Sequence, residues 1–246
     1  MPVLMKSRSR KLISAAVVVA LPLASVGCSS AKATPVVGTS AGATAQVGAP
    51  SKQLTGTQLA GALLAAADVP ADFGTDSGSA VDSGGALTSA AAKYKPAGMS
   101  CTDLLDDIGK AGFGESAMAS AEMENDDSGE LLDQDVYQFP SATDANVFFT
   151  SLQAKWNSCG TFTESDSSGK VTITAASTPA GLGDLVFANT MTATTSGTTL
   201  TGTNMAVLSG FDVFLIGPGK IGTTQPADLS PQALLVKLMT KVSSAG

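Results

Sequence analysis

Phe139-Pro-Ser-Ala-Thr-Asp-Ala-Asn-Val-Phe-Phe-Thr-Ser-Leu-Gln-Ala-Lys-Trp-Asn-Ser-Cys159 carries the clearest amphipathic signal in the chain. Ala145, Phe148, Phe149, Leu152, Trp156 and Cys159 recur at helical spacing and share one face. Pro140 stops a preceding strand and Ser141 supplies an N-cap. Asp144, three residues on, answers the cap and suits the helix dipole. That face holds the only tryptophan and two of the nine phenylalanines, so the rest of the fold is expected to pack on it.

Upstream, the stretch Leu54 to Phe73 opens the folded part and holds a helix. Thr57 is its expected cap, Leu59, Leu63, Leu64 and Ala67 its inner face, and Pro70 its stop. A Gly/Ser/Asp-rich loop from Gly74 to Gly85 follows. Ser100 to Ile108 forms a short helix with Leu104, Leu105 and Ile108 inward. Its Asp103, Asp106 and Asp107 read as a solvated face rather than a metal site. Ser116–Glu124 and Leu131–Phe139 are strands of a hairpin turned by Asn125–Gly129. The acids Glu124, Asp126, Asp127 and Glu130 around that turn lack the spacing of a calcium loop.

Downstream, β patterns accumulate. Val171, Ile173 and Ala175 alternate with Thr172, Thr174 and Ala176. Leu185 to Thr192, Thr199 to Leu208 and Phe211 to Ile216 continue the alternation, with turns at Thr195–Thr198 and Ser209–Gly210. These four strands are expected to form an antiparallel meander whose threonine-rich side is either a solvent face or the polar wall of a cleft. Gly217 to Thr224 lacks phosphate-loop spacing and reads as a glycine-rich loop after the last strand. Ser230-Pro231 opens a closing helix with Leu234, Leu235, Leu238 and Val242 inward. The fold class is therefore α+β: an antiparallel sheet, hairpin plus four-strand meander, packed against three or four helices.

Composition removes several functions. The chain has no histidine, and with it go the usual general base, the Ser-His-Asp and Cys-His constellations and the commonest zinc ligand. Of its 14 basic residues, four lie in the first 27 positions; the remaining 10 face 21 acids, a net charge of −11. Nucleic acid is not an expected partner. No catalytic residue, metal site or cofactor is assigned, and the protein is not read as an enzyme.

Residues 1–27 combine a basic start, an apolar run and small residues before Cys28, which is an export signal peptide. Leu23-Ala-Ser-Val-Gly-Cys28 resembles the lipobox of bacterial lipoproteins, which implies acylation of Cys28 with palmitate-like chains and anchoring to the cell membrane on its extracytoplasmic face. Residues 28–52 hold that lipidated end and a flexible linker without acids or aromatics. Its expected reach is roughly 25–30 Å. Residues 53–246 are expected to form a single α+β domain. With Cys28 acylated, Cys101 and Cys159 remain in an oxidising compartment beside two helices. A disulfide is the economical reading, and a free reactive thiol the alternative.

Four features carry a further resemblance. They are Ala62-Leu-Leu-Ala-Ala-Ala-Asp-Val-Pro-Ala-Asp-Phe73; Tyr137 to Ala145 with Phe148-Phe149 and Trp156-x-x-Cys159; Gly181-Leu-Gly-Asp184 before a strand; and a strand pair leading to a closing helix. In this order they resemble actinobacterial exported lipoproteins related to the extracellular sensor domain of PknH-type serine/threonine kinases. The resemblance implies an α+β domain with a cleft, suited to binding outside the membrane. The expected function is that of a non-catalytic, lipid-anchored binding or sensor-like lipoprotein. Its membrane contact is the N-terminal lipid, and its ligand is an unknown small molecule, lipid or protein. An envelope lipid or glycolipid carrier, which needs a large apolar cavity, is the alternative.

Overall fold

Ser141 caps the central helix α3, Ala142–Cys159, accepting from the Asp144 N–H at 3.1 Å while its hydroxyl donates to the Asp144 carboxylate at 2.6 Å. All six residues of the expected face are buried. The computed structural model that describes this helix covers residues 52–70, 73–75, 81–89, 91–125, 127–163, 169–222 and 229–246. Residues 1–51, which include the expected signal peptide, Cys28 and nearly all of the expected linker, lie outside the described residues.

The strands are β1 (Gly74–Thr75), β2 (Val81–Asp82), β3 (Ala117–Asn125), β4 (Glu130–Gln138), β5 (Thr161–Thr163), β6 (Lys170–Ala175), β7 (Leu185–Thr195), β8 (Thr198–Ser209) and β9 (Asp212–Ile221). They form one sheet among the described residues, in the order β1-β3-β4-β9-β8-β7-β6-β5, with β2 also on β3. Every neighbouring pair is antiparallel. Hairpin and meander are both present, and they fuse: β4 pairs with β9 from Glu130↔Lys220 to Gln138↔Asp212.

The α+β expectation therefore holds, with helices on both faces of the sheet. Helices α1 (Gly56–Ala62) and α4 (Pro231–Ala245) cover one face, where Leu59, Leu235 and Leu238 pack on Val136, Val207, Phe214 and Ile216. Helices α2 (Cys101–Asp107) and α3 cover the other, where Leu104, Phe149, Leu152 and Trp156 meet Tyr137, Val171, Phe187 and Val213. The rings of Phe113, Tyr137, Phe139 and Phe148 pack there in tilted and edge-to-face contacts, with centroids 5.0 to 5.9 Å apart. Two-sided cover explains why the middle strands bury both sets of alternating residues.

Four expectations need correction. The cap of α1 is Thr55, not Thr57, because Gln58 completes a capping box with it: Gln58 N–H donates to Thr55 Oγ1 and Thr55 N–H to Gln58 Oε1. That helix ends at Ala62, and Ala67 is exposed in a short 3-10 turn, Ala66–Asp68. Gln134, buried on β4, holds the chain after the helix, accepting from Leu64 N–H at 2.7 Å and donating to Leu64 O at 2.9 Å. The Gly74–Gly85 loop contains two strand fragments that shield the edge of β3. Gly217-Pro-Gly-Lys-Ile is not a loop but the continuation of β9. There Gly202 faces Gly219, and a Cβ on Gly202 would come within 2.8 Å of the Pro218 carbonyl, so the strands approach too closely for a side chain.

Candidate functional site

The meander's threonines lie on the α4 side of the sheet, in cross-strand rows beyond the helix. One row runs Thr161, Thr172, Thr192, Thr201; the next towards α4 runs Thr174, Thr190. Thr203, paired with Thr190, ends that second row and is followed on the same face by Met205, the first core residue beneath α4. On the outer side a third row runs Thr163, Lys170, Thr194, Thr199. Stiff β-branched side chains suit such ladders, and hydroxyls pair across strands at Thr161–Thr172 (3.1 Å) and Thr194–Thr199 (3.2 Å).

Where this face meets α4, a cleft of about 480 Å³ opens to solvent. Ser177, Thr178 and Pro179 after β6 form one wall, and Ser230, Pro231 and Gln232 at the start of α4 the other. Thr203, Met205 and Leu229 form the base, the last two almost fully buried. Ser230 is the α4 cap, accepting from Ala233 N–H, and Pro231 occupies the first helical position, where no N–H is needed. The lining combines hydroxyls and an amide over an apolar floor and includes no acid or lysine. Its volume lies within the range of small-molecule sites. A second, smaller recess of about 300 Å³ lies beside α1, between Leu63, Leu64, Val81 and Lys241.

Neither half of the cleft was singled out from the sequence, because its walls come from segments fifty residues apart in the chain. The signals present were the threonine alternation, with a cleft wall as one of its two readings, and the Ser230-Pro231 helix start. Cys28 lies outside the described residues. Cys101 and Cys159 are joined by a disulfide, which ties α2 to the end of α3 on the face away from the cleft. Ser100 caps α2 and binds Asp103 at 2.7 Å, while Asp107 pairs with Lys110. At the hairpin turn Asn125 Oδ1 accepts from Asp127 and Ser128 N–H, and Glu130 pairs with Lys220 across the strands.

One buried polar feature had no sequence signal. Asp212 on β9 is inaccessible to solvent, and neither carboxylate oxygen has a well-formed hydrogen bond. Burial pushes its pKa up to about 7; the amide of Gln138, its cross-strand neighbour, offsets only part of that. Gln138 itself accepts from Leu54 N–H at 2.6 Å, so this pair sits under the segment where the chain enters the domain.

Fold and cleft define an antiparallel α+β domain with an open, uncharged recess at one helix start. The chain belongs to the PknH-like extracellular domain family, whose profile matches residues 54–209. Its structure is similar to that of the extracellular domain of PknH from Mycobacterium tuberculosis, with a TM-score of 0.55 and 16% identity over 78% of this chain and 98% of that one. That likeness is one of fold. No curated protein matches the chain. No helix among the described residues is long and apolar enough to cross a membrane.

Proposed function

We propose that this protein is a non-catalytic binding module held on the outer side of the cytoplasmic membrane by lipid on Cys28, with residues 53–246 as one sensor-like domain behind a flexible linker. Membership of a family of extracellular domains supports the location, and the signal-like residues 1–27 and the lipobox-like run to Cys28 support the route to it. The observation that carries the binding reading is the cleft itself: polar without charge, floored by Met205 and Leu229, in a chain that has no histidine. Such a lining orients a neutral ligand by hydrogen bonds and offers no group for proton transfer at neutral pH. The carrier reading draws no support from either recess, since both are open and partly polar.

The anchor is tested by expressing wild type and Cys28→Ala in the native host and separating membranes from soluble protein. Wild type is expected in the membrane fraction with acylated Cys28, and the variant without acyl mass. An unacylated wild-type Cys28 overturns the anchor.

A further inference from the structure

The sheet face that carries α1 and α4 ends in polar residues rather than apolar ones. Two positions beyond Val136, Val207 and Phe214, on the same side of their strands, stand Gln138 of β4, Ser209 of β8 and Asp212 of β9. Gln138 and Ser209 are the cross-strand partners of Asp212 on its two sides, so the three form one row. All are buried, Gln138 and Asp212 completely. Gln138 Nε2 and both Asp212 oxygens have no well-formed hydrogen bond, although buried polar groups normally do.

The chain enters the domain over this row. Leu54, itself fully buried, donates its N–H to Gln138 Oε1 at 2.6 Å, and Gln53 Nε2 donates to the Phe139 carbonyl at 2.7 Å. The hold on the chain changes one residue later. Thr55 and Gln58 cap α1 between themselves, Thr57 N–H donates to Gly84 O, and Gly56 lies so close to Ser83 that a Cβ would come within 2.5 Å of its hydroxyl. Helix α1 is therefore fixed without Gln53 and Leu54, and the cheapest opening above Asp212 is the lifting of those two residues.

Among the described residues, the charges on the surrounding elements are engaged elsewhere. Helix α1 and strands β7 and β8 have none. Lys237 and Lys241 of α4 pair with Asp68, and Glu115, before β3, takes the N–H groups of Gly112 and Phe113. On β4, Asp133 and Asp135 project from the opposite side of the sheet, and Glu130 pairs with Lys220 at the far end. Asp184, before β7, is exposed and accepts from Gly210 N–H, and Lys52 is exposed. Burial accordingly raises the Asp212 carboxyl from 3.8 to about 7. Once uncovered, the same carboxyl ionises from about pH 4. Opening is thus favoured as pH rises between those values, by up to about tenfold per unit, and levels off above the higher one.

We propose that Asp212 and Gln138 form a proton-operated latch for the start of the domain: with Asp212 neutral, Gln53 and Leu54 are seated on the sheet, and with Asp212 ionised they lift away while the sheet and its helices stay folded. The pH of the surrounding medium then sets whether the junction with the preceding chain is rigid or free.

Hydrogen exchange of the full chain in detergent, at pH 5 and pH 7, tests the latch, with each rate divided by the intrinsic rate at that pH. The expected result is that protection of the Leu54 amide falls at least ~10-fold from pH 5 to pH 7 while the amides of β4 and β9 keep theirs. Asp212→Asn should hold Leu54 equally at both pH values. If that variant does not fold, Asp212→Ser also removes the carboxyl and is read in the same way. Unchanged Leu54 protection in wild type, a pH dependence retained without the carboxyl, or an equal fall across β4 and β9 overturns the proposal. The last result would make Asp212 a determinant of global stability alone.

Discussion

Asp212 is the residue where local chemistry and global stability meet. Its carboxyl is raised from 3.8 to about 7 by burial. Below about pH 4 the acid is neutral in both folded and unfolded chains, and the folded state bears no penalty. Between there and pH 7 the unfolded chain ionises freely while the folded one resists. Stability therefore falls as pH rises through that window, by up to roughly 4 kcal/mol for a shift of this size. Asp68 acts in the opposite sense and in a lower window. The Ala65 N–H and Lys241 hold its carboxyl below the usual range, so its contribution is lost only as pH falls through that depressed value. Chemical denaturation at pH 5 and pH 8 should show wild type losing stability at the higher pH and Asp212→Asn losing little of it. A variant that keeps the full pH dependence would assign it elsewhere.

Elements differ in how much of them a sequence reveals. Helix α3 was legible to the residue because its cap, its periodicity and its burial agree at every position from Ser141 to Cys159. Helix α1 was legible only in outline: Thr55 and Thr57 are both acceptable caps, and the reciprocal bond from Gln58 decides between them. The end of β9 was hidden because Gly217-Pro218-Gly219 carries turn chemistry. Pairing on both sides, with Glu130 to Asp133 of β4 and with Leu200 to Gly202 of β8, makes it a strand, and the close approach at Gly202 suits its glycines. The Cys101–Cys159 bond links two of these elements across a sequence separation of 58. In the chain-entropy model a closed loop of that length stabilises the fold by about 4 kcal/mol. Urea denaturation of the double Cys101→Ala, Cys159→Ala variant should show a loss of about that size. A loss under about 1 kcal/mol would mean that α2 and α3 are held by packing alone.

At the scale of the whole molecule, the fold class could be read but the assembly could not. Alternation marks a hairpin and a meander; nothing local says that β4 joins β9, since that register rests on contacts some eighty residues apart in the chain. The cleft is hidden for the same reason. One wall follows β6, the base lies on β8, and the other wall begins α4, outside the residues 54–209 that match the family. Thr203 sits at the meeting point, half-exposed on a strand whose pairing does not depend on its side chain. A large side chain there would fill the recess and leave the packing of α4 on Val207 and Phe214 unchanged. The most direct measurement is native mass spectrometry of the full chain extracted from its own membrane, wild type beside Thr203→Trp. A co-purifying neutral ligand on wild type, absent from a folded Thr203→Trp, is the predicted result. A wild type free of ligand, or a ligand retained equally by the variant, would contradict the assignment of this cleft as the binding site.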